Sequence, residues 1–127
     1  MAKYLLAPGT YTAGTAIPLI PTAFRSCSVR PDGDAAIIRG SGCWCGAAQY
    51  DVSARVIAAA GTAVTTFEIA QDGNGIADAI MAIPAAAGTL TTQSVTQIST
   101  VDTSRISVRA VTDATITGGN LIVTRRA

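Results

Sequence analysis

The sequence has no histidine, and Lys3 is its one lysine. A serine or cysteine nucleophile therefore lacks its usual imidazole base, and the lysine stands near a terminus expected to be mobile. Acid–base work would fall to two of eight carboxylates. Asp32 and Asp34 are close, but they lie in a turn, where such side chains usually bond the backbone. No catalytic, cofactor-binding or metal-ligating residue is assigned, and the reading is a protein that is not an enzyme. Charge is also scarce, at 13% of residues, about half of the roughly 25% usual for a soluble domain. The net charge is +1, with the arginines scattered singly except for Arg125-Arg126. That excludes the basic stripe of a nucleic-acid module, and the terminal pair reads as a solvated tail. No apolar run approaches the roughly 18 to 20 residues of a membrane span. The opening "MAKYLLAPGTYTAG" has a four-residue apolar patch, too short for a signal-peptide core of about 7 to 15 residues. A soluble product made in the cytoplasm is expected, with no membrane partner.

What is present favours strands. Hydrophobic residues make up 49%, mostly Ala, Val and Ile, with threonine throughout. Val, Ile and Thr are stiff at the first side-chain torsion and suit a pleated surface. With so little charge, a large share of the surface is expected to face protein rather than water, so the chain is expected to assemble. At 127 residues the length suits one domain.

Alternating segments recur with Gly, Pro, Asn or Asp between them, as in an all-β sandwich. "SVRPDGDAAIIRG" predicts a hairpin of Ser28 to Arg30 and Ala35 to Arg39 around Pro31-Asp32-Gly33-Asp34. From Tyr50 to Ile57, Tyr50, Val52, Ala54 and Val56 share one side. In "TAVTTFEIAQ", Ala63, Thr65, Phe67 and Ile69 share a face, and "QDGNG" predicts a second hairpin. "RISVRAV" sets Ile106, Val108 and Ala110 opposite Arg105, Ser107 and Arg109. "TGGNLIVTRR" predicts a turn at Gly118-Gly119-Asn120 and a strand from Leu121 to about Arg125. "GIADAIMAIPAAAG" fits a helical stripe through Ile76, Ala79, Ile80 and Ile83. It also fits a strand with Ala77, Ala79, Met81 and Ile83 on one face, which is favoured; Pro84 stops either. Alternation fails between Val95 and Ile98, which marks an expected bulge.

Three motifs invite chemistry. Cys43 and Cys45 flank Trp44, with Cys27 upstream. A structural zinc takes four Cys or His ligands, and three cysteines would need an aspartate or a neighbouring chain to complete the set. A thioredoxin-like motif needs two residues between its cysteines and a following helix. Half-buried thiols on a bend and strand entry are the favoured reading; a disulfide involving Cys27 is the alternative, and metal a lesser one. The run Gly40 to Gly46 breaks the dinucleotide pattern at Cys45, with no helix to follow. "DGNGIAD" offers Asp72, Asn74 and Asp78 but fails most positions of a calcium loop, so it reads as a turn.

Taken in order, "AIPL", "SCSVRPDGDAAIIRG", "AQYDVSARVIAAAGTAVTTFEIAQDGNGI", "AAAGTLTTQSVTQIS" and "ISVRAVTDATITGGNLIVTR" resemble the small tumour-necrosis-factor-like jelly rolls of phages of Firmicutes and of spore-coat glycoproteins. The resemblance spans roughly Gly14 to Arg126 and is one of strand order and turn position. It implies a ten-strand-class jelly-roll β-sandwich over residues 16–127 that forms a homotrimer. It implies, too, a structural role on a bacteriophage virion, as a capsid decoration or head-fibre protein whose partner is the major capsid protein or another virion protein. The collagen-like repeat of the spore-coat proteins is absent, and a start at Met1 suggests a stand-alone protein. Residues 1–15 are expected to be an N-terminal arm that docks the trimer, with an edge strand at Tyr4 to Leu6 as the alternative. A receptor- or glycan-binding module at a fibre tip is the runner-up. It would need aromatic side chains in outer loops, and few of Tyr4, Tyr11, Phe24, Trp44, Tyr50 and Phe67 fall there. A cytokine-like ligand is a third reading, weakened by the missing signal peptide.

Overall fold

The computed structural model describes residues 1–24, 29–40 and 48–126. These form strands β1 (Ala2–Leu6), β2 (Gly9–Tyr11), β3 (Leu19–Phe24), β4 (Val29–Asp32), β5 (Ala35–Ile38), β6 (Ala48–Ala59), β7 (Thr65–Gln71), β8 (Asn74–Ile83), β9 (Thr89–Thr100), β10 (Ser104–Ala110) and β11 (Ala114–Arg125). They lie in two antiparallel sheets. Sheet A runs β3-β1-β11-β6-β9, with β2 also on β11; sheet B runs β4-β5-β10-β7-β8. From β5 onward the chain changes sheet at every connection except the β7–β8 hairpin, so consecutive segments wrap the two layers as a jelly roll. The expected all-β, single-sandwich fold is the fold observed.

Period-two patterning builds the core. Tyr50, Val52, Ala54, Val56 and Ala58 of β6 are all fully buried. Facing them are Phe67 and Ile69 of β7, Met81 and Ile83 of β8, and Ile106, Val108 and Ala110 of β10. The polar tip of Tyr50 is satisfied within the fold, its hydroxyl donating to the Arg39 carbonyl at 2.6 Å. The contested "GIADAIMAI" segment is strand β8, as favoured. Its face is Ala79, Met81 and Ile83, while Ala77 is exposed, contrary to expectation. Ala70 pairs with Gly75 and Glu68 with Ile80, so two residues of β7 span five of β8. This odd-numbered bulge reverses the alternation, and Ile76 turns toward the core instead.

Four other expectations change. The first hairpin closes through two residues, Gly33-Asp34, because Pro31 and Asp32 remain in β4; proline is tolerated there because β4 is an edge. No bulge lies at Val95 to Ile98: β9 keeps unbroken register with β6 from Thr89 to Thr100. Val95 breaks the pattern because it points outward, 67% exposed. Gly118-Gly119-Asn120 is not a turn but an irregularity inside β11, where Ile116 pairs with Ala58 and Gly118 with Ile57. Finally, residues 1–15 do not form an arm. β1 is hydrogen-bonded to β3 on one side and β11 on the other, with Ala2, Tyr4 and Leu6 buried. The alternative of a strand at Tyr4 to Leu6 holds, although the strand is interior and not an edge.

That position has a pH consequence. Burial pushes the Tyr4 phenol up to about 12, whereas an unfolded tyrosine ionises near 10. The folded state keeps the proton where the unfolded chain gives it up. Stability from this group is therefore intact below about pH 10 and drains toward pH 12, by about 1.4 kcal/mol per pH unit. Tyr4→Phe should flatten that alkaline limb in denaturant titrations; a limb unchanged by the substitution would rule out Tyr4 as its source.

Candidate interaction surfaces

The acidic residues singled out from sequence are placed in structural contacts. Asp32 and Asp34 leave the hairpin tip to reach Arg105 of β10, not the local backbone as expected. Arg105 Nη1 pairs with Asp32, and Nη2 lies 3.5 Å from Asp34 Oδ1. The hydrogen bond to Asp32 leads the influences that raise the Arg105 pKa further above its ordinary value. Asp72 sits in the two-residue turn between β7 and β8, where both Asp72 and Gly73 have positive φ, at 53° and 82°. A type I′ hairpin needs that backbone, and Asp72 Oδ1 accepts from the Arg105 N–H at 2.9 Å. Asp78 lies within the bulge, where Thr96 Oγ1 donates to it at 3.4 Å. Asp72, Asn74 and Asp78 are not gathered, and no cluster of three His, Cys, Asp or Glu side chains suited to a metal occurs among the described residues. Cys27, Cys43, Cys45 and Trp44 lie outside the described residues.

Neither cationic end of the chain is loose. Lys3 sits within β1. Arg125 lies 6.0 Å from the Tyr50 ring centroid, and Arg126 Nε lies 3.5 Å from Asp51 Oδ2. The terminal pair is thus tied to β6, although both side chains remain exposed to solvent as expected. A further ion pair, Arg109 with Glu68, is partly buried on the outer face of sheet B; Arg109 Nε reaches Glu68 Oε1 at 2.8 Å and Nη1 reaches the Gly73 carbonyl at 2.7 Å. It cross-links β10, β7 and the turn that follows.

Open clefts indent the surface formed by the described residues. One of about 480 Å³ is lined by Arg30, Pro31, Asp32, Ile37, Thr103 and Arg105. One of about 290 Å³ lies at the end of the sandwich near Thr10, Ala60, Asp113 and Thr115. Neither lining contains a nucleophile beside a base. Among the aromatic side chains described, Tyr4, Tyr50 and Phe67 are fully buried. Tyr11 is half-buried and donates to the Ala7 carbonyl at 2.6 Å.

The outer face of sheet A carries several exposed or half-exposed aliphatic side chains. Strand pairing sets Ile20 beside Leu5, Ile122 beside Ser53 and Ser53 beside Val95. Leu5 and Ile20 are 42% and 46% exposed, while Ile57 and Ile122 are half-exposed. Between these aliphatic groups lie Ser53, Asn120, Thr91 and Gln93, small or uncharged, and the cations Lys3 and Arg55. Sequence reasoning anticipated an apolar contact face but could not assign it, because which side of a strand faces inward depends on the partner sheet.

No protein-family model matches the sequence, and no curated protein matches it. Solved structures do. Murine APRIL crystallised at pH 8.5 superposes with a TM-score of 0.72 and 13% identity, covering 97% of this chain and 98% of that one. The pH 5.0 form of murine APRIL gives 0.70 at the same identity and coverage. Eiger TNF from S. frugiperda gives 0.69 at 10% identity, covering 99% and 91%. Likeness at such low identity establishes the tumour-necrosis-factor-like jelly-roll fold across the whole chain.

Proposed function

We propose that the protein is a non-enzymatic structural component of a bacteriophage virion, working as a homotrimer that decorates the capsid or forms part of a head fibre, with the major capsid protein or another virion protein as its partner. The virion assignment rests on the segment-by-segment sequence resemblance. The trimer is supported by the outer face of sheet A, where Leu5, Ile20, Ile57, Ile122 and Val95 all retain exposure on a surface with few charges. Exposed aliphatic groups grouped on one face of a soluble protein mark an interaction surface. An obligate contact of roughly 2,000 Å² or more in total would cover it. The runner-up, a glycan-binding tip, draws no support from the described aromatic side chains, which are buried or half-buried.

Light scattering at micromolar concentration should give three times the 12.8 kDa protomer mass. Val95→Glu or Leu5→Glu should shift the mass toward one protomer without unfolding it, since both side chains are already partly solvated. A wild-type protomer mass would sink the trimer. Antibodies to the protein should label purified particles of the phage that encodes it; particles lacking the protein would sink the virion role.

A further inference from the structure

The hairpin between β7 and β8 reads Gln71-Asp72-Gly73-Asn74-Gly75, and Asp72 to Gly75 are all exposed. Its first half is tied down. The Asp72 N–H donates to the Arg105 carbonyl at 2.8 Å, and Asp72 Oδ1 accepts from the Arg105 N–H. The Gly73 carbonyl accepts from Arg109. The second half is held less firmly. Asn74 opposes Gln71 and Gly75 opposes Ala70, after which the bulge cuts these two pairs off from the rest of the ladder. The pair that flanks a two-residue turn is hydrogen-bonded, and bonded and non-bonded pairs alternate beyond it. The Gly75 N–H therefore points away from β7, and since β8 is the end strand of sheet B it faces the open side. The surroundings also require glycine at 75, because a Cβ there would fall on the Glu68 carboxylate, which Arg109 holds in place. An asparagine is thus followed by a residue with no side chain to hinder approach to its nitrogen.

We propose that Asn74 is a self-modification site, converting to aspartate and isoaspartate in the folded protein with water as the co-reactant. The Gly75 nitrogen gives its proton to hydroxide and attacks Asn74 Cγ. A C–N bond forms, the Cγ–Nδ2 bond breaks, and ammonia leaves with a proton taken back from water, closing a succinimide ring. Water then opens the ring. Breaking the new Cγ–N bond leaves aspartate, whereas breaking the original peptide bond leaves isoaspartate, whose main chain runs through Cβ and Cγ. Nothing is oxidised or reduced. Either product adds a negative charge to the rim of sheet B, and isoaspartate lengthens the backbone where Gly75 opposes Ala70. The competing positions are guarded. Asn120 lies inside β11, paired with Leu5 on one side and Arg55 on the other, and is followed by Leu121. Asp32 and Asp72 each precede a glycine, but Arg105 engages both carboxylates, and an ionised carboxylate resists such attack.

Incubating the purified full-length protein at mildly alkaline pH tests this, with isoelectric focusing to read the charge and peptide mapping to read the position. An acidic species should accumulate, faster as hydroxide increases, with both aspartate and isoaspartate at position 74. Its rate should stay within about tenfold of that in the urea-unfolded chain, because a hairpin tip opens at little free-energy cost. Asn74→Gln, whose longer side chain closes the ring poorly, should lose the acidic species. Asn120→Gln should keep it, and circular dichroism confirms that both variants retain their strands. A folded wild-type protein that stays unmodified while the unfolded chain converts overturns the proposal. So does an acidic species that maps to Asn120 or survives Asn74→Gln.

Discussion

Replacing Gly119 with alanine is expected to destabilise the fold by about 3 kcal/mol or more, while Gly118→Ala next to it costs about 1 kcal/mol or less. Gly119 has φ of +137°, a region that side-chain-bearing residues rarely adopt. A Cβ there would collide with the Arg55 carbonyl, and it would press on Leu6 Cδ1 at 2.9 Å and Val56 Cα at 3.1 Å. Two of those contacts are backbone of the neighbouring β6, which cannot swing aside as a flexible side chain could. Backbone strain contributes roughly 1–3 kcal/mol, and overpacking against a fixed wall about as much again. At Gly118 the nearest atom to a Cβ is Ile57 Cδ1 at 3.9 Å, ordinary contact, and φ needs no special freedom. Urea titration of the two variants side by side isolates the effect. A loss below about 1 kcal/mol for Gly119→Ala would show that the strand relaxes to admit the methyl group. Against a total stability of about 5–15 kcal/mol for a domain, the expected loss is a large share of what holds the protein together.

The same site shows why part of the fold was legible and part was not. Tyr50 to Ile57, Ile106 to Ala110 and the Asp72-Gly73 turn were readable because their cause is local: a period of two, or a turn that needs positive φ. The triplet Gly118-Gly119-Asn120 carries an equally strong local signal, and it misled. Glycine serves turns and strand irregularities alike. What decides is that β11 is shared by β6 along one side and by both β1 and β2 along the other. The β1–β2 break at Ala7-Pro8 falls opposite Gly118 and Gly119, a coincidence of register that no single segment contains. Ala77 failed for a similar reason: the bulge that reverses β8 lies between pairs with β7, and a sequence pattern shows only one of the two strands. Of the candidate surface, the shortage of charge was legible as a tendency to assemble. The identity of the exposed face was not, because which side of a strand faces inward depends on the partner sheet.

Removing residues 1–13, so that the chain starts at Gly14, is expected to leave an insoluble or unfolded protein. β1 lies between β3 and β11, hydrogen-bonded to both. Its loss strands β3 and opens the flank of β11 from Asn120 to Val123. Losing β2 opens the remainder of that flank from Ala114 to Ile116. Ala2, Tyr4 and Leu6 leave the core with it. The Tyr4 and Leu6 side chains together are worth roughly 3–6 kcal/mol at about 1.5–3 kcal/mol for each large apolar group buried. The ladder bonds on both sides of β1 add to that, and the unpaired backbone of β11, with Leu121, Ile122 and Val123 in a row, becomes a template for aggregation. The deletion thus removes about as much free energy as such a domain has in reserve. It also separates the two readings of the N-terminal segment. An arm that serves only to dock the trimer could be cut away, leaving a soluble, cooperatively melting protein that no longer binds particles. A buried interior strand cannot. A truncated protein that stayed soluble and unfolded in one sharp transition would overturn the structural role of β1 and return the segment to docking.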